Sequence, residues 1–294
     1  MTSFLYPSAI VDTQWLADHL ADRSLRVLDC TTHLRYDNVP AGQPYRVESG
    51  RADFLRGHIP GADFIDLQSE LSNNESPYRF TLPAAADFAR AMTQHGIGDG
   101  VRVVLYSSTS LMWATRVWWM LRAFGFDNAA VLDGGFRKWV AEGRAISTTA
   151  SPAPRLATFD FEPRPHLFTG KDEVLKAIAA PGVCTVNALP PDHYRGESLR
   201  YGRAGRIPAS VSAPASELVD PKDGTFRRPD EVAGLLNPVC GEDKTARVIV
   251  YCGGGIAATL DAFLLHQLGY ENVAVYDNSM SEWAADETLP MAVG

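Results

Sequence analysis

The stretch Ala246-Arg247-Val248-Ile249-Val250-Tyr251-Cys252-Gly253-Gly254-Gly255-Ile256-Ala257-Ala258-Thr259-Leu260-Asp261-Ala262-Phe263-Leu264-Leu265-His266-Gln267-Leu268 decides how this chain folds. Residues 247–251 have the β-branched content and length of a buried parallel strand. From Ile256 onward helix formers carry apolar residues at helical spacing, and Gly269 suits a C-terminal cap. A cysteine therefore sits in a glycine turn between strand and helix. Three glycines let successive N–H groups turn inward, and the helix that follows presents unpaired N–H groups and its positive dipole end. That setting favours a thiolate, the reactive form of cysteine. An inert buried thiol would not need three consecutive glycines, whose backbone entropy is costly unless something must approach the backbone closely.

At 294 residues the chain is long enough to bury two cores. The composition is 46% hydrophobic and 21% charged, with a net charge of −8. That acidic balance argues against nucleic acid or an anionic membrane as partner. No uninterrupted apolar run approaches membrane-spanning length, and the first residues lack a basic segment followed by an apolar one. A cytoplasmic protein is the expectation. Cys30, Cys184, Cys240 and Cys252 are too scattered for a disulfide framework, and no pair has metal-ligand spacing. Reduced thiols are expected, with no metal and no cofactor, and Cys184 buried beside a strand.

The sequence predicts a helix over 8–20 with Thr13 as its N-cap, a strand over 25–29, a surface excursion over 31–55 rich in Gly, Pro, Arg and Tyr, and a strand over 64–67. A helix over 83–96, a strand over 101–106, a helix over 111–124, a strand over 129–132 and a helix over 136–142 follow. Between Ser147 and Phe168 the chain turns Thr, Ser, Ala and Pro rich, as expected of a linker. The second half then repeats the first. Arg102-Val103-Val104-Leu105-Tyr106 matches Arg247-Val248-Ile249-Val250-Tyr251 at a separation of 145, and the segment from Phe124 to Asp133 matches that from Leu268 to Asp277 at 144. Two similar α/β domains with mainly parallel sheets are expected: 1–147, a linker over 148–167, and 168–294. Where the halves differ, Cys252-Gly253-Gly254-Gly255 stands against Ser107-Ser108-Thr109-Ser110, so only the second half keeps a nucleophile.

Five segments carry a family resemblance: His58-Ile59-Pro60-Gly61-Ala62, Arg116-Val117-Trp118-Trp119-Met120, Asp133-Gly134-Gly135-Phe136-Arg137-Lys138-Trp139, the loop from Cys252, and Asp277-Asn278-Ser279-Met280-Ser281-Glu282-Trp283. With these the chain resembles the two-domain rhodanese-fold sulfurtransferases that act on thiosulfate or 3-mercaptopyruvate, over nearly its whole length. The resemblance implies two tandem rhodanese-like domains, each a mainly parallel sheet flanked by helices. It also implies that Cys252 carries sulfur as a persulfide, taken from a small anionic donor and passed to cyanide, a thiol or a thioredoxin-like acceptor. Loop N–H groups of Gly253, Gly254, Gly255, Ile256 and Ala257 would cradle the anion.

The chain also departs from the family. Gly253 and Gly254 follow the cysteine where thiosulfate-specific relatives have basic residues and mercaptopyruvate sulfurtransferases have Cys-Gly-Ser-Gly. The resemblance assigns His58 to the substrate site; the acid that accompanies it in relatives has no matching position here, with Glu48 and Asp53 nearby in sequence. In the segment 187–196, Leu189 and His193 replace arginines and Arg195 remains as the anion contact. Arg200, Arg203 and Arg206 lie close by, and Leu111-Met112-Trp113 is a candidate apolar wall. A sulfur-relay or binding module loaded by a partner protein is the alternative to a small-molecule enzyme. A phosphatase-like reading is disfavoured because Ala258 stands where that signature needs an arginine.

Overall fold

The computed structural model describes residues 3–40, 42–149, 151 and 157–294. Its strands are β1 (Ile10–Val11), β2 (Leu25–Asp29), β3 (Thr32–Arg35), β4 (Arg46–Ser49), β5 (Asp63–Phe64), β6 (Arg102–Tyr106), β7 (Ala129–Leu132), β8 (Phe168–Thr169), β9 (Val183–Asn187), β10 (Val211–Ser212), β11 (Arg247–Tyr251) and β12 (Val273–Tyr276). Among the described residues ten of them form two five-stranded sheets, both wholly parallel, in the orders β1-β7-β6-β2-β5 and β8-β12-β11-β9-β10, and β3 and β4 pair apart from these. The two orders are the same once the halves are superposed. The register repeats as well: Val103 pairs with Ala129 in the first sheet, and Val248 with Val273 in the second. Both central strands are buried from their second residue on, as expected of parallel strands covered on both faces.

The helices Leu111–Ala123 and Ala257–Gln267 leave the ends of β6 and β11 and pack on each other. Each is buried almost all round, because its own sheet covers one side and the other helix the opposite side. Trp118 meets Phe263 edge to face at 4.7 Å across this contact. At its centre the hydroxyls of Thr115 and Thr259, 144 residues apart, are 3.0 Å from each other. Equivalent residues of the two halves thus touch, which places a local twofold between them. One hydrophobic core runs through this contact and unites the sheets.

Several elements differ from the sequence expectation. The first helix spans Thr13–His19, and its N-cap is Asp12, whose carboxylate accepts the Trp15 N–H at 2.7 Å. Thr13 bonds Glu142 instead. The tract over 31–55 is no bare excursion: β3 and β4 make an antiparallel hairpin, followed by a helix over Arg51–Arg56. The strand expected over 64–67 is only the pair Asp63–Phe64, since Asp66 caps a short helix over Leu67–Glu70. Cys184 is half-buried rather than buried, near the start of β9 with its Sγ 3.4 Å from the Val239 carbonyl oxygen. Of the expected linker, 150 and 152–156 lie outside the described residues. Its later part runs along the first domain, with Phe159 buried against Phe88 and the N–H groups of Glu162 and Arg164 bonded to the Phe124 and Ala123 carbonyls.

Candidate active site

Cys252 follows β11 and is 2% exposed. The loop after it is fixed through its carbonyls. The Cys252 carbonyl accepts the Met280 N–H at 3.1 Å, that of Gly253 accepts the N–H and hydroxyl of Ser281 at 2.8 and 2.7 Å, and that of Gly255 accepts Arg116 Nη1 at 3.1 Å. In a trans peptide the C=O and the following N–H point opposite ways. Pinning these three carbonyls outward therefore turns the N–H groups of Gly253, Gly254 and Ile256 away from the pins. Among the described residues these N–H groups meet no protein acceptor. They line a cavity with the Cys252 thiol.

Gly255, expected in the cradle, has another task. Its N–H and that of Cys252 donate to the Ser279 hydroxyl at 3.2 and 3.0 Å, and Ser279 in turn donates to the Tyr276 carbonyl. Gly255 has φ of +71°, and a Cβ there would run into the Asp277 carbonyl oxygen. Glycine is required by the backbone at that position. Ser279 itself is held in the left-handed region at φ of +49°, which is tolerable where three hydrogen bonds fix it.

The glycines at 253 and 254 make room for tyrosines. A Cβ on Gly253 would overlap the Tyr201 hydroxyl, and one on Gly254 would lie 2.7 Å from the Tyr45 hydroxyl. Tyr45 arrives from the first domain, immediately before β4, and Tyr201 from the second. Burial first, then the neighbouring Cys252, push the Tyr45 phenol above its ordinary range, and burial does the same to Tyr201. Both stay protonated and able to donate. The cavity they share with Cys252 has a volume of about 300 Å³, with Tyr36, Leu34, Met112, Leu189, Leu260 and Arg200 among its walls.

The structure does not bring all the sequence candidates together. His58 is fully buried in the first domain, its Nδ1 2.8 Å from the Phe54 carbonyl and its Nε2 3.1 Å from that of Thr149, with its ring stacked on Phe54. It is not in the cavity wall. Arg195 lies at the surface in a two-pronged pair with Glu197, at 2.7 and 2.9 Å, also outside the cavity. Each residue, expected at the substrate site, is engaged by a local partner and lies outside this cavity. Glu48 is taken by Arg35 and Asp53 by His33. Arg203 bonds four carbonyls near the C-terminus, and Arg206 bonds those of Tyr194 and Gly294. Arg200 alone of that cluster lines the cavity, its guanidinium 4.2 Å over the Tyr36 ring.

Arg116 is the residue that sequence reasoning passed over. Fully buried in the first domain's helix, it donates to Asp277 Oδ1 at 2.7 Å and to the Phe80 carbonyl at 2.6 Å as well as to Gly255. It reaches across the domain boundary to hold the Cys252 loop from behind. An arginine within an apolar helix, at Arg116-Val117-Trp118-Trp119, was the signal: buried arginines need fixed partners.

Residues 12–142 and 171–286 each match the family model described as a rhodanese-like domain. The chain belongs to the rhodanese family. This rhodanese is 31% identical to the 3-mercaptopyruvate sulfurtransferase of Escherichia coli over 284 residues, covering 96% of both chains. The rat 3-mercaptopyruvate sulfurtransferase is 33% identical over 287 residues, covering 94% of this chain and 91% of the rat one. The sulfur carrier protein TtuD of Thermus thermophilus is 30% identical over 305 residues, covering 99% of each. The crystal structure of the E. coli 3-mercaptopyruvate enzyme SseA superposes with a TM-score of 0.80 at 28% identity, over 92% of this rhodanese and 98% of SseA. Among the described residues no helix is long and apolar enough to cross a membrane, and no cluster of side chains is placed to hold a metal.

Proposed function

We propose that this rhodanese is a sulfurtransferase that carries sulfane sulfur as a persulfide on Cys252. The observation that carries this reading is the Cys252 loop, whose carbonyls are pinned outward and whose free N–H groups turn into the cavity beside the thiol. The thiolate attacks the outer sulfur of a small anionic donor and forms a new S–S bond. The old bond to that sulfur breaks, and its electron pair leaves with the donor's remainder. The N–H groups meet the negative charge before and after transfer, which is electrostatic preorganisation. The protonated Tyr45 and Tyr201 hydroxyls add donors at the same place. A thiol, a thioredoxin-like protein or cyanide then attacks the outer sulfur and regenerates the thiolate. Reduced thiols suit this cycle, and with them a cytoplasmic setting.

The position of Arg195, paired with Glu197 outside the cavity, favours a second reading in which a partner protein loads Cys252. The sulfur carrier relative is in keeping with it.

Intact-mass measurement of the reduced protein tests the first reading. Incubation with 3-mercaptopyruvate or thiosulfate is expected to add one reducible sulfur, about 32 Da, that Cys252→Ser abolishes. An unchanged mass with every small donor, from folded protein with a reactive Cys252, would overturn it in favour of a protein relay.

A further inference from the structure

The cavity around Cys252 is unlike a pocket for a compact dianion. At about 300 Å³ it lies at the lower edge of the range for organic ligand sites, roughly 300 to 1,000 Å³. Its walls are Leu34, Met112, Leu189, Val219 and Leu260 on the apolar side and the ring of Tyr36 on the aromatic side. Among the described residues a single cation lines it, Arg200, stacked on Tyr36. The other arginines nearby are committed: Arg195 to Glu197, Arg203 and Arg206 to carbonyl oxygens, Arg116 to Asp277. A buried ion without a counter-charge is costly. One guanidinium and one N–H cradle therefore accommodate one charge on the donor besides the charge on the transferred sulfur's acceptor thiolate. The remaining space is apolar and is filled best by carbon.

We propose that this site takes a sulfane-sulfur donor with one negative charge and an apolar, ring-sized body, the body lying between Tyr36, Met112 and Leu189 and the charge beside Arg200. The proposal rests on the persulfide reading above. An arenethiosulfonate is the simplest molecule of the class. The Cys252 thiolate bonds to its terminal sulfur, the S–S bond to the sulfonyl sulfur breaks, and the arenesulfinate leaves with that electron pair. The products are the Cys252 persulfide anion and the sulfinate, with charge and electrons conserved and no outside oxidant or reductant.

The test compares benzenethiosulfonate, methanethiosulfonate, thiosulfate and inorganic polysulfide as donors to the full chain, following Cys252 loading by intact mass and sulfinate or sulfite release by rate. Benzenethiosulfonate is expected to exceed methanethiosulfonate in kcat/KM by about tenfold or more, chiefly through KM, since the two share reacting atoms and charge and differ in apolar body. Thiosulfate is expected to fall below both. Leu189→Arg, which puts a second cation into the wall, is expected to narrow the gap between thiosulfate and benzenethiosulfonate by about tenfold. Should that variant fail to fold, the ranking on the unaltered protein decides alone. Thiosulfate equal to or better than benzenethiosulfonate would overturn the proposed substrate class while leaving the persulfide intact. Failure of every donor, polysulfide included, to load Cys252 would overturn the persulfide reading and this proposal with it.

Discussion

Asp133 and Asp277 accept the same hydrogen bond from opposite halves of the chain: Asp133 Oδ1 takes the Phe226 N–H at 2.8 Å, and Asp277 Oδ2 takes the Leu82 N–H at 2.7 Å. Asp133 and Asp277 are 144 residues apart, as are Leu82 and Phe226. The bond survives in both copies, but its surroundings differ. Arg116 lies on Asp277, while the residue 144 places beyond Arg116 is Leu260, a wall of the Cys252 cavity. Without an arginine, burial pushes the Asp133 carboxyl up to about 6.

Arg116→Leu is expected to destabilise the protein by about 3 to 5 kcal/mol, because it leaves Asp277 facing an apolar side chain. Adding Asp277→Leu is expected to recover much of that loss, since replacing both ends of a buried pair is often close to neutral. Sulfur loading is expected to stay slow in the double variant, because the Gly255 carbonyl has still lost its donor. Urea unfolding and mass-followed loading read the two effects separately. Equal recovery of both would sink the positioning role of Arg116.

Gly253→Ala is expected to slow sulfur transfer at least about tenfold, as the new Cβ displaces Tyr201 or bends the loop that carries the N–H groups. The offending atom is the far end of a side chain, so Gly253→Ala with Tyr201→Phe is expected to regain part of the rate. A double-variant cycle in kcat/KM measures the coupling. Purely additive losses would mean that Tyr201 and the loop do not share that space.

His58→Ala and Arg195→Ala separate packing from chemistry. His58→Ala is expected to lower stability by about 1 to 3 kcal/mol, through the lost ring packing on Phe54 and the lost hydrogen bond to a backbone carbonyl, with donor KM unchanged. Arg195→Ala is expected to alter both stability and KM by less than about twofold, an exposed ion pair being worth little. A tenfold rise in KM for either variant would return that residue to the substrate site.

The His95 ring bridges Asp63 and Glu70 at 2.8 Å each. Burial alone would lower its pKa, but hydrogen bonds to the two carboxylates overcome this and raise it to about 9 from the ordinary 6.5. The stabilisation is therefore complete below about pH 6.5 and fades as pH rises through 9. Unfolding free energy is expected to fall by at most about 3 kcal/mol over that interval. His95→Gln should flatten the decline, and an unchanged slope would assign it to other groups.

The strands β2, β6, β7 and β11, the glycine turn and the repeat were legible because each is a local pattern of apolar residues and glycines. The N-cap at Asp12 escaped by one residue, since Asp and Thr both serve as caps. The cavity was less legible. Tyr45 and Tyr36 enter it from the ends of the β3–β4 hairpin, more than 200 residues before Cys252, and no periodicity links them to it. His58 and Arg195 were named because their types match a family pattern, but residue type does not fix direction: Phe54 and Glu197, close in sequence, hold them elsewhere. Two of the three carbonyl pins on the loop use backbone N–H groups, of Met280 and Ser281, and backbone bonds have no residue signature.

In a homodimer every substitution appears twice, so a change that improves one site alters its twin. The Thr115–Thr259 contact marks a chain in which the two partners of such a pair are joined and each position is written separately. One half can then give up its cysteine for Ser107 and supply Arg116 as a brace, while the other keeps Leu260 at the matching position as part of a wall. Its asymmetry is therefore encoded once and needs no ligand to break it. Separated halves would be expected to lose sulfur transfer together, since the brace and the cysteine lie on opposite sides of the cut.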